Sequence, residues 1–149
     1  MGFVMFLDAS VIVAILAEEE DAGYFVGKIE SCTGTKAYSS VSVFEAVISL
    51  ARIAATARYG DQKPIPPELI EQVQIRVDNF LRTIGAKEVA IGGSTHKRAL
   101  DAAKTFGRFV GHPAKLNFGD CFSFASATEL RLPLLFKGND FSQTDIEKA

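Results

Sequence analysis

The chain has few of the residues that identify several common classes of protein. Its two cysteines, Cys32 and Cys121, lack CxxC spacing and metal-site partners, and two cysteines do not make a disulfide framework. Its two histidines, His96 and His112, give no Ser-His-Asp or Cys-His arrangement. Tryptophan is absent, so 12 phenylalanines carry most of the aromatic burial. We therefore expect reduced, intracellular thiols and no nucleophilic triad.

Neither sign of charge dominates. The 16 lysines and arginines face 18 aspartates and glutamates, which gives a net charge of −2. A nucleic-acid ligand would therefore need a local basic patch. With 149 residues, 48% of them hydrophobic and 23% charged, the chain has the composition of one compact domain over residues 1–149. A domain of this length buries about two-thirds of its unfolded surface.

No uninterrupted apolar run is long enough to cross a bilayer. The stretch from Phe3 to Ala17 is broken by Asp8 and Ser10 and lacks the basic start of a signal peptide. We expect a cytoplasmic protein without membrane contact. Met5 is an alternative start, because the residues before it add only a short strand extension.

Strand-like and helix-like segments alternate along the chain. Extended apolar runs predict strands over Phe3–Leu7, Lys36–Ser40, Lys87–Ile91 and Pro133–Phe136. Helical periodicity predicts helices over Val11–Glu18, Ala22–Ser31, Val43–Arg58, Glu68–Thr83, Thr95–Phe106 and Asp120–Leu130. This order predicts an α/β domain with a central parallel sheet and helices on both faces.

Four acidic residues, Asp8, Glu45, Asp120 and Asp140, each follow an extended apolar run or begin a helix. The ends of parallel strands converge on one crevice, so acids placed there can share a site. Clustered carboxylates repel one another and favour a hard divalent cation with oxygen ligands. The pattern predicts a metal site suited to phosphodiester hydrolysis.

Each acid also has a purely structural interpretation. Asp8 could cap the helix that follows it. Ser42-Val43-Phe44-Glu45 has the spacing of a capping box, in which the glutamate bonds back to the cap. Asp120 lies at a helix start, where the helix dipole stabilises an anion, and Asp140 lies in a polar turn. The recurrence of acids after successive strands is harder to explain by capping alone.

Four segments carry a resemblance to a known family. Phe6–Leu16 (FLDASVIVAIL) resembles the opening strand and acid of PIN-domain nucleases, and Ser40–Ala46 (SVSVFEA) resembles their second acidic motif. Leu116–Ala125 (LNFGDCFSFA) and Pro133–Phe141 (PLLFKGNDF) are similar to the C-terminal half of VapC-type toxins. The resemblance extends over nearly the whole chain, about residues 4–146.

The resemblance implies a Mg²⁺- or Mn²⁺-dependent ribonuclease, restrained by a VapB-type antitoxin and usually dimeric. Asp8, Glu45 and Asp120 match the core acids of the family, with metal at Asp8 and Asp120 and with Glu45 holding water or a second metal. Metal-activated water would then attack phosphorus. Many relatives have the fourth acid at the position of Gly138, and close relatives often have an Asp where this chain has Asn139. Asp140 is therefore the candidate that remains.

A basic segment leads into Asp120. From Lys97 to Lys115 there are five lysines and arginines against one acid, and His112 lies in the same stretch. We expect Arg108, Lys115 and His112 to contact RNA phosphates beside the metal. A solvated helix face explains Lys97 and Arg98 equally well.

Two other functional classes share part of this pattern. A phosphotransfer domain of the response-regulator type has adjacent acids after its first strand, and one of the HAD type has Asp-x-Asp; this chain has Asp8-Ala9-Ser10. A PIN-like RNA- or protein-binding module that has lost catalysis is the second alternative. The presence of all three core acids argues against a loss of catalysis. The departure from the family pattern at the fourth acid is the feature that favours this alternative.

Overall fold

The computed structural model describes residues 2–149. The strands are β1 (Phe3–Leu7), β2 (Thr35–Tyr38), β3 (Lys87–Glu88) and β4 (Leu134–Leu135). The helices are α1 (Ala9–Leu16), α2 (Ala22–Ser31), α3 (Ser40–Tyr59), α4 (Pro67–Thr83), α5 (Thr95–Phe106) and α6 (Phe118–Leu130), with short 3-10 turns at Arg108–Val110 and Phe141–Gln143.

The four strands form one parallel sheet in the order β3-β2-β1-β4. The chain moves from β1 to β2 and β3 on one side, and later places β4 on the other side of β1. This reversal creates a crevice beyond the carboxyl ends of β1 and β4, the usual ligand position in parallel sheets. The C-terminal residues complete the outer edge of β4, because Glu147 accepts a hydrogen bond from Leu134 and Ala149 donates one back to it.

The alternation of side chains along β1 divides the core into two layers. Met5 and Leu7 pack into a cluster that includes buried residues of α1 to α4. Phe6 points to the opposite face, into a cluster that includes residues of α5 and α6. A strand buried on both faces reads as a continuous apolar run, as Phe3–Leu7 does. The predicted α/β sheet with helices on both faces is confirmed.

The bounds of Ala22–Ser31 and Thr95–Phe106 agree with the predicted helices. Helices α1, α3 and α6 each begin two or three residues earlier than predicted, because Asp8, Ser39 and Asn117 cap them. The predicted strands around β3 and β4 are too long, since two residues of each join the ladder.

Helix α3 is apolar and long enough to cross a membrane by length and composition alone. It is also a core helix of this domain: Ala46, Leu50 and Ala55 are buried, and it packs against α1, α4 and α6. Core helices of globular domains pass the same test of composition, so the helix is weak support for membrane insertion.

Candidate active site

Asp8 follows the central strand β1 and caps α1. Its Oδ2 accepts hydrogen bonds from the Ser10 amide at 3.1 Å and the Ser10 hydroxyl at 2.6 Å. Its Oδ1 is buried and has no hydrogen-bond partner among the described residues. The capping interpretation is thus correct for one oxygen only. A buried carboxylate oxygen without a partner is costly, so this atom is suited to bind a cation or to accept a hydrogen bond.

Glu45 lies on α3 and takes no part in the capping box of that helix. The box is formed by Ser39 and Ser42, whose hydroxyls accept from the backbone amides of Ser42 and Ser39 respectively. The proposed Ser42–Glu45 box is therefore wrong, because the helix begins at Ser40 and Ser42 is its third residue. Instead, the Glu45 carboxylate lies against Gly119 of α6, in the space that a β-carbon there would fill.

Asp120 is the third residue of α6 and is bonded to the residue that caps the helix. The Asp120 amide donates to Asn117 Oδ1 at 2.9 Å, and Asp120 Oδ2 accepts from the Asn117 amide at 3.1 Å. This reciprocal pair fixes the carboxylate at the helix N-terminus, where the helix dipole favours negative charge. Asp120 therefore has the predicted structural role at the start of the helix. Its second carboxylate oxygen, Oδ1, takes no part in this pair.

The three carboxylates line one cavity of about 260 Å³ at the carboxyl end of the sheet. Its walls come from the start of α1, the first half of α3, the N-terminus of α6 and the turn after β4. The lining residues are Asp8, Ala9, Ser10, Val13, Glu19, Glu45, Ser49, Asn117, Asp120 and Lys137. The sequence-predicted acids Asp8, Glu45 and Asp120 therefore share a site that the α/β topology creates.

Burial and mutual repulsion make this a proton-accepting cluster. Burial, then the charges of Asp8 and Asp120, raise the pKa of Glu45 from 4.5 to about 7. Burial and the charge of Asp8 likewise raise the pKa of Asp120 from 3.8 to about 7, against a hydrogen bond from Asn117 that lowers it. The pKa of the neighbouring Cys121 thiol rises to about 11 by burial and by the charge of Asp120. That thiol is therefore unsuited to act as a nucleophile.

Within residues 2–149, no three His, Cys, Asp or Glu side chains lie in an arrangement that would hold a metal ion. The chemistry of the donors nevertheless fits a hard cation. Asp8 Oδ1 is buried without a partner, and Glu45 and Asp120 contribute further carboxylate oxygens to the same cavity. Mg²⁺ prefers such oxygen ligands and retains several waters, so it needs few direct protein contacts.

Comparisons with known proteins agree with this geometry. A family model described as PIN domain matches residues 5–147. The chain belongs to the PIN-domain family. It is 44% identical over 141 residues to a VapC ribonuclease of Rhizobium meliloti, covering 95% of this chain and 98% of that protein. It is also 35% identical over 147 residues to ribonuclease VapC28 of Mycobacterium tuberculosis, covering 97% of each. This PIN domain is thus of the VapC type.

Two solved structures share the fold of this PIN domain. One is Mycobacterium tuberculosis VapC20, described as a sarcin-ricin loop cleaving toxin, with a TM-score of 0.66 over 97% of this chain and 98% of that one. The other is a chain of a toxin-antitoxin complex from Klebsiella pneumoniae, with a TM-score of 0.59, covering 93% of this chain and 90% of that one. Each is 14% identical, so the likeness is one of fold.

The basic residues predicted to bind RNA line a second cavity, of about 490 Å³, in this PIN domain. Its lining is Arg108, Gly111, His112, Lys115, Asn117 and Asp140. Asn117 lines the acidic cavity as well, so the two cavities meet at the N-terminus of α6. The segment before α6 is less irregular than predicted, since it contains the 3-10 turn and a parallel bridge from Gly107 to Leu116.

Asp140 is not brought into the acidic cavity. It is exposed and lines the basic cavity, although its charge contributes to the raised pKa of Asp120. Asn139 is also exposed, and Gly138 has a φ of 94°. The structure thus groups three of the four predicted acids and places Asp140 beside them.

Sequence reasoning missed five polar or charged residues that line the acidic cavity: Ser10, Glu19, Ser49, Asn117 and Lys137. The Asn117-x-x-Asp120 spacing is a capping-box signal that could have identified Asn117. Ser10 lies two residues after Asp8 and could have been read as its partner. Glu19, Ser49 and Lys137 have no such local signal.

Proposed function

We propose that this PIN domain is a single-domain, metal-dependent endoribonuclease and the toxin of a toxin–antitoxin pair. Its membership of the VapC ribonucleases supports RNA cleavage, and the acidic cavity supports a divalent cation as cofactor, Mg²⁺ or Mn²⁺. The observation that carries the proposal is the buried, unpartnered Oδ1 of Asp8 beside Glu45 and Asp120.

The chain's own residues would hold and position the reactants. Asp8 and Asp120 would hold the cation, and a bound Mg²⁺ supplies positive charge and a more acidic bound water. Ser10 fixes Asp8 Oδ2 by two hydrogen bonds, which leaves Oδ1 as the carboxylate oxygen without a partner. Glu45, which lines the same cavity from α3, would orient the attacking water and accept its proton.

RNA would approach along the basic cavity. Arg108, Lys115 and His112 line it, and Asn117 connects it to the acidic cavity. A protein of net charge −2 needs such local cations to bind a polyanion. Asp140, at the junction, would complete the acidic shell after a small movement of its exposed turn, or would set the electrostatic field beside Asp120.

Two protein partners are proposed, an antitoxin of the VapB type and a second copy of this chain. For the second copy we propose the apolar cavity of about 510 Å³ between α5, the turn at Arg108–Val110 and α6. Its exposed side chains include Leu100, Phe109, Val110 and Phe118, each more than half exposed. Contiguous apolar surface of this kind marks protein interfaces. We place the assembly in the cytoplasm, without a membrane.

The experiment is cleavage of total cellular RNA by the purified protein, with Mg²⁺, with EDTA, and with the co-expressed antitoxin. We expect defined new RNA ends with Mg²⁺, and none with EDTA, with the antitoxin bound, or in Asp8→Asn. A folded wild type that cuts no RNA in Mg²⁺ or Mn²⁺ would instead support the alternative of a catalytically impaired binding module. Light scattering of Phe109→Glu, which should be monomeric, tests the second copy.

A further inference from the structure

Lys137 follows β4 and lines the acidic cavity together with Asp8, Glu45 and Asp120. Of the described residues that line this cavity, Lys137 alone is cationic. Its Nζ lies 3.2 Å from Glu19 Oε2 and 3.2 Å from Asp21 Oδ1. Both acids belong to the segment between α1 and α2, so the ammonium is held at the rim of the cavity.

The backbone of Lys137 is fixed to the same hydrogen-bond network as Asp8. The Lys137 amide donates to Ser10 Oγ at 3.0 Å, and Ser10 Oγ donates to Asp8 Oδ2 at 2.6 Å. One short chain of bonds therefore sets the position of both the candidate metal ligand and the lysine. The side chain of Lys137 is 34% exposed, which leaves its head accessible to a ligand in the cavity.

Stability alone is a weak reason for this arrangement. Partly exposed ion pairs contribute between about 0 and 1 kcal/mol to folding. An ammonium has three donors, and the two carboxylates account for two of them, so a third is available to an acceptor in the cavity. Four acids, Asp8, Glu19, Glu45 and Asp120, line this cavity, so a phosphodiester that enters it gains most from a cation at that point.

We propose that Lys137 is a binding residue for a phosphate group of the RNA. The inference rests on the proposed function, since it assigns a further residue to the same substrate. Lysine serves well here because it is a compact point charge on a flexible stem. Lys137 would bind the phosphate that lies closest to the acidic cavity. Arg108 and Lys115 line the neighbouring basic cavity and would bind other phosphates of the RNA.

The test compares Lys137→Met with the double variant Glu19→Gln/Asp21→Asn, which breaks the same ion pairs but keeps the lysine. Binding of a short, fluorescein-labelled single-stranded RNA of mixed sequence is measured over a range of salt concentrations, in an Asp120→Asn background that does not cleave. Each phosphate neutralised on single-stranded RNA contributes about 0.7 to the slope of log affinity against log salt. We expect Lys137→Met to lose about 0.7 of slope, and Glu19→Gln/Asp21→Asn to retain the slope.

In the cleaving protein, Lys137→Met should raise KM and lower kcat/KM by about 10- to 100-fold, the range of a charge-assisted hydrogen bond. Lys137→Arg retains the charge and should restore the salt slope even if its fit is poorer. Equal slopes in wild type and Lys137→Met, or equal losses in Lys137→Met and Glu19→Gln/Asp21→Asn, would show a purely structural ion pair. Either result overturns the proposal for Lys137. If the wild type still cleaves RNA, the proposed nuclease function is unaffected. A wild type that cuts no RNA overturns both.

Discussion

The carboxylate of Glu45 occupies the space beside Gly119 that a β-carbon would otherwise fill. Helix α6 therefore approaches α3 closely enough to support the glutamate with backbone alone. Because the atoms that a methyl group would meet belong to the end of a flexible side chain, the fold can relieve the overlap by moving Glu45. The consequence of a change at Gly119 should be chemical more than structural.

Gly119→Ala should preserve or raise the melting temperature and lower RNA cleavage at least tenfold. Gly119 is the second residue of α6, and alanine is favoured over glycine within helices by up to about 1 kcal/mol. The displaced Glu45 would no longer face Asp8 and Asp120. Gly27→Ala on α2 is the matched control, since a β-carbon there meets nothing within 4 Å, and it should leave cleavage unchanged. Full activity of Gly119→Ala would show that the position of Glu45 is unimportant.

Glu45→Gln should fold normally and be nearly inactive. The substitution keeps the shape of the side chain and removes the charge, and the capping box of α3 does not involve this residue. Ser39→Ala is the complementary variant, which should lose about 1 kcal/mol of stability through the lost cap while retaining most of its activity. Cleavage rates and denaturant unfolding of both variants separate the two roles. Wild-type cleavage by Glu45→Gln would remove Glu45 from the chemistry.

Mg²⁺ or Mn²⁺ should raise the melting temperature of the wild type, and should do so less in Asp8→Asn and Asp120→Asn. A ligand that binds only the folded state stabilises it in proportion to the logarithm of its concentration over Kd. In Asp8→Asn the amide oxygen can still accept from Ser10, so the cap survives while the partnerless oxygen is lost. Thermal scans against metal concentration give the affinities. Identical shifts in the wild type and Asp8→Asn would place the cation elsewhere.

The metal-free protein should lose stability as the pH rises from about 4 to about 7. The folded-state pKa values of Glu45 and Asp120 lie near 7, above their ordinary 4.5 and 3.8. The folded state therefore keeps protons that the unfolded chain has released, and this stabilisation is complete below the unfolded pKa values and lost through the folded ones. Urea unfolding in EDTA at several pH values measures it. Glu45→Gln should show a shallower decline, and a stability that rises over this window would contradict the assignment.

Local signals were sufficient for much of the fold. The apolar run Phe3–Leu7 and the periodicity of Ala22–Ser31 and Thr95–Phe106 gave the bounds of these elements, because each depends on its own residues. The two-residue strands β3 and β4 depend on which neighbours pair with them, which no local pattern reports. The start of α3 was missed because three serines precede Val43, and each can cap a helix.

The residues of the site likewise include some that local sequence predicts and some that depend on tertiary contacts. Asp8, Glu45 and Asp120 could be grouped from the sequence because each follows an extended apolar run or begins a helix, and the resemblance to PIN-domain nucleases implies the same three. Lys137 could not, because its partner acids lie on the segment between α1 and α2 and the contact exists only after the chain has folded.

The pairing of Glu147 and Ala149 with β4 affects how the isolated protein behaves in solution. Leu134 exchanges backbone hydrogen bonds with Glu147 and Ala149, so a flank of the sheet that could recruit strands from other molecules is already covered. Removing these residues would leave every carboxylate that lines the cavity in place, but it would expose the unpaired backbone edge of β4 to other molecules. Insolubility of such a truncated toxin would then be a matter of colloidal behaviour, and should not be mistaken for damage to its chemistry.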